Sequence, residues 1–186
     1  MKITEIKKIK FFSNRFQIFF ENGSFFNLSK KEIDDFNLSE NQEYNDNIYN
    51  QLKIRELNYL QKYAANYFKK FSSSITKFKE KLLSKKFSPD NINIIINKLQ
   101  NENLLNDNLY AKKIIIDLIN KNKYSKLEIK KRLLNKKINY DLIDNYLNEL
   151  YNKDIEEKIK ENIIKKLKTK GYDKNSIYKY LKNKGF

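Results

Sequence analysis

The sequence predicts a mainly α-helical protein: tandem three-helix repeats in an elongated curved array, preceded by a small N-terminal antiparallel β-sheet. Three observations predict it. Only 3 Gly and 1 Pro occur in 186 residues, so helix breakers are few and long helices are favoured over a turn-rich β fold. Residues 74–99 and 125–150 superpose without a gap at an offset of 51. Phe78 falls on Ile129, Leu82 on Leu133, the pair Lys85-Lys86 on Lys136-Lys137, Phe87 on Ile138 and Ile92 on Ile143. Self-similarity at such a period marks helical units that bury their apolar faces on one another. The leading stretch, by contrast, carries short aromatic runs around an Asn-Gly pair.

Taken in order, Ile3-Thr4-Glu5-Ile6 opens a strand, and the runs 16–20 and 25–28 flank Glu21-Asn22-Gly23-Ser24. Asn-Gly between aromatic runs predicts a hairpin with a type I′ turn, hence three antiparallel strands. Ser29 with Glu32 forms a capping box that opens a short helix through about Phe36. Residues 45–71 predict one long helix whose apolar stripe is Ile48, Leu52, Tyr59, Tyr63 and Tyr67. Tyrosines so placed read as core with wet hydroxyls rather than as a base-stacking platform.

The repeat follows. Ser74 and Ser125 take the N-cap position, Ser125 with Glu128 as a second capping box. These helices end at the lysine pairs, whose charge complements the helix dipole. A third helix starts near Ser88-Pro89-Asp90, with Pro in a tolerated first-turn position, and near Asn139-Tyr140-Asp141 in the copy. Leu104-Leu105-Asn106-Asp107 closes the first unit, and Asn106 or Asp107 caps the next helix. There Tyr59 matches Tyr110, Tyr63 matches Ile114 and Tyr67 matches Leu118. A third copy begins near Ile155: Ile163, Ile164 and Leu167 follow Ile114, Ile115 and Leu118 at an offset of 49, then Ile177, Leu181 and Phe186 follow Ile129, Leu133 and Ile138 at 48. One residue is lost from the intervening loop. The copy stops at Lys184-Gly185-Phe186 without its last helix. The expected domains are 1–44, β-rich; 45–107 and 108–154, three-helix repeats; and 155–186, an incomplete third repeat.

Composition narrows the function. The formal net charge is +16 and the pI about 9.6, a field that attracts polyanions, nucleic acid first. Lys- and Asn-rich codon usage is a competing source of part of that charge. Without Cys or His, disulfides, thiolate chemistry, the commonest general base and the commonest transition-metal ligand are excluded. The start, MKITEIKKIK, lacks the apolar core of a signal peptide. The apolar run Ile114-Ile115-Ile116 is cut by Asp117, far short of the ~20 residues of a membrane span. A soluble, cytoplasmic monomer is expected, without membrane partner, cofactor, metal or catalytic residue.

The register of Leu82-Leu83-Ser84-Lys85-Lys86-Phe87, the helix from Ile92 to Leu99, Leu104-Leu105-Asn106-Asp107-Asn108-Leu109-Tyr110-Ala111 and the closing Lys184-Gly185-Phe186 resembles the RecX family, small modulators of the RecA recombinase. The resemblance covers about residues 50–186, and the β-rich start looks like an extension found in some bacterial members. Lys86 departs from the usual Gly, and the last helix is absent. The resemblance implies a non-enzymatic regulator of recombination and DNA repair. Such a protein lies along the groove of the RecA–single-stranded DNA filament and alters ATPase and strand exchange, most readily by inhibition.

Candidate contacts are basic. With Ile129 and Leu133 facing the core, Lys131, about 200° round the helix from Ile129, faces away. Lys130, Arg132, Lys136 and Lys137 join it, beside Lys121, Lys123 and Lys126. Lys85 and Lys86 are the repeat equivalents, and Arg55 is added because Arg offers bidentate contacts that Lys does not. An ordinary solvated helix face is the competing reading. Two other functions stand beside the regulator. One is a basic helical module that binds DNA directly, independent of a recombinase. The other is a metal-dependent enzyme using Asp107, Asp117, Asp141 or Asp144; Asp107 and Asp141 are better explained as helix-start acids, and Asp144 as a surface charge.

Overall fold

A computed structural model describes residues 1–10 and 14–186. Strands β1 (Ile3–Lys8), β2 (Arg15–Phe20) and β3 (Phe25–Ser29) form an antiparallel sheet in that order. Ile18 pairs with Ile6 on one side and Phe26 on the other. The hairpin turn differs from the expected type I′. Only Gly23 has positive φ, at 79°. The Gly23 amide donates to the Phe20 carbonyl at 2.9 Å, and the Phe20 amide to Ser24 at 2.9 Å. This is a three-residue loop ending in a left-handed glycine. Such a loop needs only one left-handed position, so Asn22 stays outside that region, its side chain accepting from the Ser24 amide at 3.0 Å and hydroxyl at 2.7 Å. Ser29 and Glu32 make the capping box that opens α1 (Lys30–Asp35). Ile3, Ile18, Phe20, Phe26 and Leu28 are buried with Leu38, Tyr44 and Leu52.

Helix α2 (Asp46–Phe68) is capped by the Asn45 side chain, which accepts from the Ile48 amide at 2.9 Å. Its buried seam is Leu52, Glu56, Leu60 and Ala64, not the tyrosine stripe read from the sequence. Tyr59, Tyr63 and Tyr67 flank that seam, half-buried against Phe87 and Phe78. Helices α3 (Ile75–Ser84) and α4 (Pro89–Asn101) complete the first set, around Leu60, Phe78, Leu82, Phe87 and Ile92.

A buried carboxylate ties the sheet to these helices. Glu56 is fully buried and accepts from the Asn27 amide at 2.7 Å, the Ser88 amide at 3.0 Å and hydroxyl, and Asn91 Nδ2 at 2.6 Å. Arg15 on β2 donates to the Asn27 side chain and carbonyl and lies 3.7 Å over the Tyr59 ring. Asn27 in turn donates to the Lys85 carbonyl at 2.8 Å. Burial pushes the Glu56 carboxyl above its usual range despite these four bonds.

The chain divides into Met1–Leu105 and Asn106–Phe186. The second unit holds α5 (Asp107–Asn120), α6 (Lys126–Leu134), α7 (Tyr140–Leu150), α8 (Lys153–Thr169) and α9 (Lys174–Lys184). Asn106, rather than Asp107, caps α5, accepting at its Oδ1 from Asn108 and Leu109. Asn139 caps α7, which leaves Asp141 as a first-turn acid. These five helices share one core, including Ile115, Ile129, Leu133, Ile143, Leu147, Ile163 and Leu181.

The repeat is legible in the backbone as well as in the core. After α3, α6 and α9 the chain turns through Lys86 (φ 63°), Lys137 (φ 61°) and Gly185 (φ 85°). The Lys86 amide donates to the Leu83 carbonyl and Phe87 to Leu82; Lys137 to Leu134 and Ile138 to Leu133; Gly185 to Lys182 and Phe186 to Leu181. One left-handed helix stop is thus used three times, each time delivering an apolar residue back onto its helix. The lysines following α3 and α6 are therefore outside the helix, not in its last turn. The loop before α9 runs Gly171-Tyr172-Asp173, one residue shorter than Asn122 to Ser125 before α6.

Candidate nucleic-acid interface

Helix α6, which carries the basic run, is anchored at its N-terminal end. Ser125 accepts from the Glu128 amide at 3.2 Å and donates to the Lys184 carbonyl, while Glu128 bonds the Ser125 amide and the Lys184 ammonium. Ile129 and Leu133 are fully buried. That leaves Lys131 and Arg132 exposed on the opposite face. The Arg132 guanidinium lies 4.2 Å over the Tyr124 ring.

Not every lysine of the run is free. Lys130 donates to Asp144 Oδ1 and to the Tyr140 hydroxyl, both at 2.7 Å. The bond to Asp144 raises the Lys130 pKa and lowers that of the aspartate. Lys126 donates to Asn148 at 2.8 Å and Lys136 to the Tyr110 hydroxyl at 3.3 Å. Lys121 caps α5 and is exposed, Lys123 stands 5.2 Å from the Tyr124 ring, and Lys137 is exposed on the left-handed turn. The structure thus brings residues 121–137 together on α6 and its flanks, with Lys131 and Arg132 most available.

Lys85, Lys86 and Arg55 lie in the other unit. Lys85 Nζ stands 5.5 Å from the Tyr63 ring, and burial together with Lys81 holds its pKa below the usual range. Lys86 is exposed, and Arg55 sits 5.9 Å from Phe36, each against different neighbours. Burial between Tyr67 and Tyr59 pushes the Tyr63 hydroxyl up to about 12, so it is a neutral donor at working pH. Sequence reasoning passed over Lys165, Lys166 and Lys170 at the end of α8, which line a hollow of about 600 Å³. Their signal was present as a basic run, but that run also suits a helix C-terminus. Among the described residues no His, Cys, Asp or Glu cluster of three or more could hold a metal, and no helix is long and apolar enough to cross a membrane.

No family profile matches the chain. Regulatory protein RecX of Clostridioides difficile is 33% identical over 199 aligned residues, spanning 99% of this chain and 89% of the relative. Regulatory protein RecX of Finegoldia magna is 42% identical over 114 residues, spanning 57% of this chain and 55% of the relative. Among solved structures, a crystal structure of regulatory protein RecX superposes with a TM-score of 0.64 at 19% identity, over 100% of this chain and 94% of that one. A second, RecX from Lactobacillus salivarius, gives 0.59 at 27% identity, over 70% and 88%. The helical repeats behind a three-stranded sheet are therefore a fold that RecX structures share, and with a third of its residues matched across nearly a whole relative, the chain belongs to the RecX family.

Proposed function

We propose that this protein is a non-enzymatic regulator of recombination and DNA repair in the cytoplasm. It binds the RecA recombinase and its filament on single-stranded DNA, and lowers ATP hydrolysis and strand exchange. Family membership carries the reading, through the match across 89% of the Clostridioides difficile relative. The α6 face supports it. Lys131 and Arg132 are exposed beside further unburied lysines, and a net charge of +16 suits a partner coated with phosphates and acidic side chains.

The test is to add the protein to recombinase filaments preformed on single-stranded DNA and to follow ATP hydrolysis and strand exchange. Loss of both near one regulator per several protomers is the expected result. Unchanged rates at stoichiometric ratios end the proposal. Binding to naked DNA with no effect of the recombinase on it marks the independent DNA-binding module instead.

A further inference from the structure

Each unit contains a basic hollow, and the two are built from equivalent positions. In the first unit the hollow lies between α2 and α3, has a volume of about 570 Å³, and is lined by Tyr63, Asn66, Tyr67, Phe71, Lys81 and Lys85, with Lys62 at its side. In the second it lies between α8 and α9 and includes Asn162, Lys165, Lys166, Lys170, Tyr180 and Lys184. In the register of the repeat, Lys62, Tyr63, Asn66 and Tyr67 stand 100 positions before Asn162, Ile163, Lys166 and Leu167, and Lys81 and Lys85 stand 99 before Tyr180 and Lys184, all of them lining residues. The repeat therefore reproduces a concavity as well as a core.

The lining chemistry is one-sided. No carboxylate lines either hollow. In the second, Lys184 is engaged by Glu128, whereas Lys123, Lys165, Lys166 and Lys170 have no ion pair among the described residues. Part of this charge offsets the negative end of α8, but four ammoniums around one hollow exceed what half a charge asks for. Beside them stand ring faces, Tyr124 and Tyr180 in the second hollow and Tyr63 and Tyr67 in the first. Ammoniums are point-charge partners for phosphates, tyrosine faces receive planar bases, and both volumes lie within the ~300–1,000 Å³ of small-molecule sites. In the second hollow the cations converge on one cavity from α8, α9 and the α5–α6 loop, which suits a compact anion better than a strand that needs a continuous track.

We propose that this hollow is a nucleotide site present twice in the chain, each copy taking a nucleoside polyphosphate, with its phosphates on the lysines and its base against the tyrosines. The site is independent of the recombinase reading, and its test contains no recombinase. Isothermal titration of the full chain at about 0.15 M salt uses ATP, inorganic tripolyphosphate, adenosine and a short thymidine oligonucleotide. ATP is expected to bind at two equivalents per chain, about tenfold or more tighter than tripolyphosphate or adenosine. Lys62→Glu with Lys81→Glu removes one equivalent, and Lys166→Glu with Lys170→Glu removes the other. Lys31→Glu, outside both hollows and outside the basic run of α6, leaves ATP binding unchanged. All these lysines except Lys81 are exposed, and circular dichroism confirms that each variant is folded; Tyr180→Leu, expected to weaken ATP more than tripolyphosphate, is the uncharged control. Absence of ATP binding overturns the proposal. So does equal affinity for tripolyphosphate, which means charge alone, or binding of the oligonucleotide only, or two equivalents surviving in both lysine pairs.

Discussion

At the scale of single residues, Glu56 has the largest expected effect. Its carboxylate accepts four donors from three other segments, so Glu56→Ala leaves buried amides and a hydroxyl unpaired and opens a cavity. The expected loss is about 3–5 kcal/mol, read from urea unfolding. The pH dependence has an unusual sign. Because burial raises the folded-state pKa above the unfolded value, the native state binds this proton more tightly. The resulting stability is fully present below the ordinary carboxylate range and is lost as pH rises through the elevated folded value. Acidification from pH 8 to about 5 should therefore favour the native protein relative to Glu56→Gln, and a shift of the urea midpoints the other way would show that the hydrogen bonds outweigh desolvation. Lys86 and Lys137 make a smaller point. Both are side-chain-bearing residues in the left-handed region, where the third copy has Gly185. Lys86→Gly and Lys137→Gly are each expected to raise stability by about 1 kcal/mol in thermal melts.

At the scale of elements, α6 separates what sequence reveals from what it conceals. The caps were legible, since Ser29, Ser74 and Ser125 find their partners within three residues. The pairing of Lys130 with Asp144 was not, because fourteen positions and a turn intervene. Glu56 escaped for the same reason: its nearest partner in sequence, Asn27, is 29 positions away. Of the expected basic surface, then, Lys131 and Arg132 are the residues to change. The double variant Lys131→Glu, Arg132→Glu should weaken filament inhibition at least tenfold with an unchanged melting temperature. Full inhibition by that variant would move the contact surface elsewhere. Lys130→Glu is the poorer probe, as it sets a carboxylate against Asp144.

At the scale of the whole molecule, the repeat was readable because matched apolar positions recur at fixed offsets, and Ile129, Leu133, Ile177 and Leu181 are all buried as that register demands. The sharing of one core by α5–α9 was not readable, since periodicity gives the buried face of a helix but not its neighbour. Leu133→Ala, which removes a fully buried side chain from that core, is expected to cost about 2–5 kcal/mol. Hydrogen exchange should show lost protection within 106–186 before any change in 1–105.

The Arg15–Asn27–Glu56 cluster bears on how this protein is dissected in the laboratory. Trimming the β-rich leader to isolate the helical portion removes the Asn27 amide from the Glu56 carboxylate and the guanidinium from Tyr59. A fragment starting at residue 45 would thus display a half-solvated charge and a bare apolar flank. It should be recovered as aggregate where the uncut chain is not, so shorter expression boundaries are better drawn after Leu105 than before Asn45.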